Sequence, residues 1–182
     1  MISGVSRGHK LTAPSGFETR PTGDRMKEDL FNILNPLVKG SVFLDLYCGS
    51  GAIGIEALSR GAERAVFVDS SKTAIAASEI NLRKTRLDQR AQLFLMSVKH
   101  ALDRLAGAKF DIIFADPPYN SGELVPSLTL INKKRLLADD GIIAVECPND
   151  MEMPEFPGLV LYRQKKYSQM QFLFYRNEGK DQ

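Results

Sequence analysis

Apolar positions along this chain follow two rhythms in turn. Val42, Phe43, Leu44 and Leu46 form a short run broken only by Asp45. A run with so little alternation predicts a strand covered on both faces, Val42–Leu46, as in a parallel sheet. It stops at Gly49-Ser50-Gly51. Ile53, Ala57 and Leu58 then recur at helical spacing and predict a helix from about Ala52 to Arg60, closed by Gly61. The succession repeats along the chain. Strands are predicted at Ala65–Val68 (ending in Asp69), Gln92–Met96, Asp111–Ala115 and Gly141–Glu146. Helices are predicted at Lys72–Leu87, Ser97–Leu105 and Leu124–Leu137. Such alternation predicts a doubly wound parallel sheet with right-handed crossovers. Beyond Pro157 the rhythm changes. Leu159–Tyr162 and Met170–Tyr175, joined by a polar turn through Lys165–Gln169, predict an antiparallel hairpin at the sheet edge.

Ahead of the first strand, residues 1–23 are basic and rich in Gly, Ser, Pro and Thr, and are expected to form a mobile arm or a short hairpin. Thr22 or Asp24 would cap a helix whose Met26, Leu30, Ile33, Leu34 and Leu37 share one face. Asn35-Pro36 and Gly40 should weaken and end it. There is no internal repeat and no low-complexity segment.

The totals narrow the classes. With 182 residues, 43% hydrophobic and 25% charged, a single globular domain over 1–182 is expected. The longest apolar runs are too short to span a bilayer, and MISGVSRGHK has no apolar core of a signal peptide, so a cytoplasmic location with no membrane contact is expected. Cys48 and Cys147 each end a strand-like run. They read as reduced thiols, and nothing has metal-ligand spacing. Net charge is only +2 but unevenly placed. Residues 1–27 hold Arg7, Lys10, Arg20, Arg25 and Lys27 against Glu18 and Asp24. Residues 160–182 hold Arg163, Lys165, Lys166, Arg176 and Lys180 against Glu178 and Asp181. Arg83, Lys84, Arg86 and Arg90 cluster near a helix end. Solvated faces explain any one cluster, but several together favour a polyanionic partner.

The chemistry-bearing residues fall after the strands, where ligands bind in such sheets. Gly49, Gly51 and Gly54 spell GxGxxG, which suits a dinucleotide or S-adenosylmethionine. Asp45, late in the strand, disfavours a pyrophosphate and suits an ammonium or sulfonium. A tight turn without ligand would leave an acid inside an apolar strand unexplained. Asp69 lies twenty residues after Gly49, where an acid can accept from both ribose hydroxyls. After the fourth strand comes Asp116-Pro117-Pro118-Tyr119. Two prolines fix the backbone and supply no N–H, so nearby carbonyls stay available as acceptors. With the Asp116 carboxylate and the Tyr119 ring, the set fits a planar amine. A rigid turn is the bland alternative.

The tetrapeptide and Asp45-Leu46-Tyr47-Cys48-Gly49-Ser50-Gly51 together resemble methyltransferases acting on exocyclic amines of nucleic-acid bases. Thr19-Arg20-Pro21-Thr22, Asp24-Arg25, Lys27-Glu28, Leu30-Phe31-Asn32, Leu44-Asp45, Gly49 to Ala52, Gly54 and Glu56 to Ala62 extend the likeness to the RsmD family, from Gly4 to about Tyr175. That family methylates guanine N2 in bacterial small-subunit ribosomal RNA. The resemblance implies a Rossmann-like class I methyltransferase, with a seven-stranded mostly parallel sheet and an antiparallel C-terminal hairpin. It implies S-adenosylmethionine as donor. Asp45, Tyr47, Gly49, Gly51, Asp69 and Ser70 would line the donor, and Arg20, Pro21 and Thr22 would close over its methionine end. Asp116, Pro117, Pro118 and Tyr119 would hold the guanine. Ser97 stands where the family has Asp or Asn toward the adenine amine, and Asp69 where it often has Glu. The implied partner is ribosomal RNA, within the small subunit or an assembly intermediate, met by a monomer.

The expected chemistry is direct transfer to the guanine amine, a poor nucleophile because its lone pair is delocalised. Accepting its hydrogens with Asp116 and the Pro117 carbonyl favours a pyramidal nitrogen and stabilises developing charge. No cysteine nucleophile is needed, and His9 and His100 read as surface or structural residues. The alternatives are an adenine-N6 methyltransferase, a protein or small-molecule amine methyltransferase, a dinucleotide oxidoreductase and a non-catalytic RNA-binding module. The first usually carries a recognition domain. The oxidoreductase would need a substrate domain where a hairpin is predicted. The last leaves Asp45 and Asp69 unexplained.

Overall fold

A computed structural model describes residues 1–12, 24–118 and 121–179. In chain order the elements are α1 (Asp24–Val38), β1 (Val42–Leu46), α2 (Ala52–Ser59), β2 (Arg64–Asp69), α3 (Lys72–Thr85), β3 (Ala91–Leu95), α4 (Val98–Arg104), β4 (Phe110–Ala115), α5 (Leu124–Lys133), β5 (Leu137–Pro148), β6 (Leu159–Lys166) and β7 (Met170–Asn177). The strands form one sheet in the order β3-β2-β1-β4-β5-β7-β6. Pairings among β1 to β5 are parallel, and β7 runs antiparallel to both β5 and β6. This is the doubly wound sheet with an antiparallel C-terminal hairpin that the sequence implied.

Strand alternation sorts the core. Leu44 and Leu46 of β1 pack on the side of α4 and α5, with Val66, Ile113 and Leu128. Phe43 faces the other side and joins Phe31 and Leu34 of α1, Leu58 of α2, Phe67 and Phe114. Asp45 falls on this second face, opposite Phe67 and Phe114 across the ladders. The chain winds outward in one direction from β1 and in the other from β4. The switch point therefore lies between these two strands, where α/β sheets leave a ligand crevice beyond the carboxyl ends.

Three expectations change. First, α1 continues through Pro36 to Val38 and the turn comes at Gly40, which takes φ 78°. Leu34 and Val38 are 0% and 1% exposed, so burial of the last turn outweighs the ring's interference. Second, α5 stops at Lys133, short of Leu137. Arg135 adopts φ 51°, and the N–H of Leu136 reaches back to Ile131 O at 3.1 Å, which frees Leu137 to start β5 four residues early. Third, residues 1–12 are docked rather than a loose arm. The buried Glu56 carboxylate accepts the Ile2 and Ser3 N–H groups, each at 2.9 Å, and pairs with Arg60 at 2.9 Å. Val5 N–H donates to Ser59 O at 3.0 Å, and Thr12 exchanges two bonds with Asn81. Gly4 permits the contact, because a Cβ there would stand 1.9 Å from Ser59 O.

Candidate active site

The glycine turn leaves β1 at the switch point and is held from several directions. Tyr47 adopts φ 59°, a left-handed conformation that side chains rarely tolerate, and its hydroxyl hydrogen-bonds Ser127 Oγ at 2.8 Å. Cys48 N–H donates to Val68 O at 3.0 Å, and Ser78 Oγ donates to Gly49 O at 2.8 Å. Asn81 Nδ2 donates to Ser50 O at 2.9 Å, so the residue that ties down Thr12 also ties down the turn. Gly49 and Gly51 take φ 52° and 75°. A Cβ on Gly49 would meet nothing within 4 Å, so this edge of the turn faces open space. Cys48 is buried, with its sulfur toward Ser78, as a small residue packing the turn.

Three acids surround the crevice. Asp45 is 1% exposed, and one of its oxygens accepts Gly54 N–H in the first turn of α2 at 2.8 Å. Burial raises its carboxyl well above the ordinary range. The Gly54 bond opposes that rise, and Asp116 and Asp69 add to it. Asp69 ends β2 with both oxygens engaged, one by Gly49 N–H at 2.9 Å and one by Ser71 N–H at 2.8 Å. A carboxylate offers about four lone-pair positions, so Asp69 keeps one per oxygen for further donors. Asp116 follows β4, half-buried, and burial pushes it up to about 6.

The other expected positions divide. Ser70 is exposed between Asp69 and Ser71. Ser97 is also exposed and caps α4. Its hydroxyl accepts the His100 N–H at 3.4 Å and lies 3.0 Å from His100 Nδ1, so it already serves the cap of α4. Pro117 and Pro118 line a cavity of about 450 Å³ with Glu146, Pro148, Met151 and Met170, within the span of small-ligand sites (roughly 300–1,000 Å³). Arg20, Pro21, Thr22 and Tyr119 lie outside the described residues.

Glu146 is the site residue that sequence reasoning passed over. It is 8% exposed, and burial with the charge of Asp116 pushes its carboxyl up to about 8. Ala115 pairs with Val145, so Asp116 and Glu146 stand side by side one step further along. The only signal was an acid at the end of an apolar run.

The basic clusters also divide. Arg90 donates to Ala62 O and Leu58 O at 2.9 and 3.1 Å, and Arg83 pairs with Glu79 at 2.6 Å. That cluster is partly spent on the fold. Arg163, Lys165 and Lys166 are exposed on β6. Tyr167 Oη donates to Asp29 at 3.0 Å, and Gln169 O accepts Asn149 N–H at 3.1 Å, so the hairpin turn sits beside the cavity rim and the start of α1. Among the described residues there is no cluster of metal ligands, and no helix is long and apolar enough to cross a membrane.

The family model described as "Conserved hypothetical protein 95" matches residues 1–176. The chain is 40% identical to "Putative rRNA methyltransferase YlbH" of Bacillus subtilis, over 98% of this chain and 99% of that protein. It is 35% identical to "Ribosomal RNA small subunit methyltransferase D" of Escherichia coli K12, over 98% of this chain and 90% of that one. Among solved structures, "Putative methyltransferase yhhF" from Escherichia coli superposes with a TM-score of 0.86 at 33% identity, covering 99% of this chain and 98% of that one.

Proposed function

Since the chain belongs to the RsmD family of small-subunit ribosomal RNA methyltransferases, we propose that it methylates the exocyclic N2 amine of a guanine in that RNA, with S-adenosylmethionine as donor. The observation that carries this reading is the apposition at the switch point. A glycine turn with an open edge lies next to Asp116-Pro117, and a base-sized cavity lies beyond them.

The residues fit the donor. Asp45, Asp69 and Asp116 converge on the crevice, and both neighbours raise Asp45. A ligand carrying an ammonium and a sulfonium relieves that repulsion, whereas a pyrophosphate would add to it. When bound, the donor supplies a methyl group made electrophilic by its sulfonium. Gly49 lets the ligand lie against the backbone, Gly51 lets the turn close on Ser78 and Ile55, and Asp69 offers its remaining lone pairs to two ribose hydroxyls. Tyr47, Gly49 and Asp45 form the wall beside it. The family resemblance assigns Arg20, Pro21 and Thr22 to its methionine end.

On the acceptor side Asp116 and the Pro117 carbonyl accept the two N2 hydrogens, and Pro118 and Tyr119 hold the ring. This turns the nitrogen lone pair out of the ring system and balances the positive charge that develops on nitrogen. Asp116 acts as an acceptor and electrostatic partner rather than a strong base. A paired guanine cannot enter, so the base is looped out or flipped. Arg25 and the exposed cations of β6 contact the flanking phosphates, which makes affinity fall with salt. We take the acceptor to be a small-subunit particle or assembly intermediate, approached by a monomer.

The test is transfer of labelled methyl from S-adenosylmethionine to small-subunit particles and RNA from cells lacking the enzyme, followed by nucleoside analysis. N2-methylguanosine is expected. Label in methyladenosine, or in protein alone, would overturn the assignment.

A further inference from the structure

Beside Asp116 stands a second carboxyl that the reaction as described does not use. Glu146 is the last buried acid of β5, 8% exposed, and it lines the cavity with Pro117, Pro118 and Met151. The parallel register ends with Ala115 against Val145, and Asp116 and Glu146 are the residues that follow it on the two strands, close enough for the Asp116 charge to act on Glu146. Each raises the cost of the other's charge. Among the described residues none donates a hydrogen bond to the Glu146 carboxylate, and none forms an ion pair with it. The sealed polar atoms without a partner among the described residues are Asn149 Oδ1 and Tyr175 Oη, so the Glu146 carboxyl opens onto the cavity that it lines. Its position on a cavity wall, next to the group that meets the amine, points to a partner brought by the substrate.

The base that fits supplies a donor next to its amine. The Watson–Crick edge of guanine carries N1–H directly beside the N2 amine, while adenine carries a bare N1 acceptor beside its N6 amine. With Asp116 and Pro117 on the N2 hydrogens, the neighbouring carboxylate stands where N1–H would point. We infer that Glu146 accepts the N1–H of the target guanine and thereby selects guanine over amine-bearing purines that lack this hydrogen. This rests on the reading of the cavity as a guanine site. Above about pH 8, where Glu146 is ionised, a carboxylate facing a lone pair is repulsive and leaves both groups unpaired, which is how a site built for a hydrogen bond rejects an analogue lacking it.

The experiment separates this role from packing. The methylated guanosine is first mapped, and RNA is then assembled with 2-aminopurine nucleoside at that position. This base keeps the N2 amine but has a bare N1. Ratios of kcat/KM for the two substrates are measured above about pH 8, where Glu146 is ionised, with the wild-type enzyme and with Glu146→Gln. The wild type should prefer guanosine by about 100-fold or more. The Gln variant should lose activity on guanosine, and its preference should shrink at least tenfold, because the carboxamide can donate to a bare N1. An unchanged ratio in a folded, donor-binding variant would overturn the inference. Equal turnover of both substrates by the wild type would overturn it too, with no variant needed. Failure of the wild type to form N2-methylguanosine at all would instead remove the guanine assignment beneath it.

Discussion

Replacing Asp116 with Asn should stabilise the protein while stopping its chemistry. The carboxyl moves from an ordinary 3.8 to about 6 on folding, because burial penalises its charge. The folded value is the higher one, so the native state holds its proton more tightly than the unfolded chain does. Stability is then greatest at acid pH, falls as pH rises from about 4 through 6, and the loss is complete about a unit above the folded value. A displacement of that size corresponds to about 3 kcal/mol. The residue keeps partial contact with solvent, which reduces the figure to about 2 kcal/mol. The substituted carboxamide carries no charge at any pH and escapes this cost. Removing the charge also relieves Glu146, whose own raised carboxyl extends the same trend toward pH 8. At pH 8 the variant should melt about 4–8 °C above the wild type. At pH 4.5 the gap should shrink to about a third. Methyl transfer should drop by about 10²–10³-fold, as when one transition-state partner is lost. Paired melting curves by circular dichroism across this range are the assay. A gap absent at pH 8, or one that does not shrink on acidification, would refute the view that burial of this charge costs stability.

The same ionisation should appear in kinetics: kcat/KM should decline tenfold per pH unit below about 6, and an acid limb missing from the profile would mean that Asp116 need not be charged. Gly49→Ala should cost about 1 kcal/mol of stability for its left-handed backbone, yet weaken donor binding at least tenfold, since the new methyl projects into open space at the turn. Calorimetric affinity equal to wild type would move the donor elsewhere. Gly54→Ala places a Cβ 2.3 Å from the Phe67 ring and 3.0 Å from Asp45 Oδ2. It should destabilise by about 1–3 kcal/mol in denaturant melts, less any gain in helix propensity. Glu56→Ala strands the Ile2 and Ser3 N–H groups, so hydrogen exchange in residues 2–6 should accelerate while that of β1 stays protected. Equal protection in both proteins would show that Glu56 does not hold the N-terminal segment.

Local rhythm made the order and type of the elements legible, because each strand is an apolar run bounded by glycine, proline or an acid. It did less well at the joints. The end of α5 depends on Arg135 entering a left-handed turn, and nothing in Lys133-Lys134-Arg135 marks that residue as a cap. The docking of residues 1–12 depends on Glu56, which reads as an ordinary helical acid and becomes a buried acceptor only once α2 is packed beside the N-terminal segment. Arg90 shows the reverse. It looked available to a polyanion, and its guanidinium is committed to the last carbonyls of α2 and the residue after its turn. The acids of the crevice were readable by their places after strands. Glu146 was not, because its meaning comes from β4 and β5 being neighbours. That pairing joins residues thirty positions apart.

The glycine motif by itself left two ligands open, and the hydrogen bonds around it give a physical reason to separate them. A pyrophosphate at a helix N-terminus needs the unpaired N–H groups of the first turn and the positive end of the helix dipole. Here Gly54 N–H is already bonded to Asp45, whose carboxylate sits at that end of α2 and answers the same dipole. Gly49 N–H is likewise taken, by Asp69. At these two positions the turn presents carboxylate oxygen where a phosphate site presents hydrogen. Asp116 across the switch point adds a third acid, and Asp45, raised chiefly by burial, is raised further by both neighbours. Such a crevice is suited to positive charge and hydroxyl donors, the two things that the methionine end and the ribose of a sulfonium nucleoside bring. The acid inside the strand thus braces the first turn of α2, and a phosphate placed against that carboxyl would meet like charge.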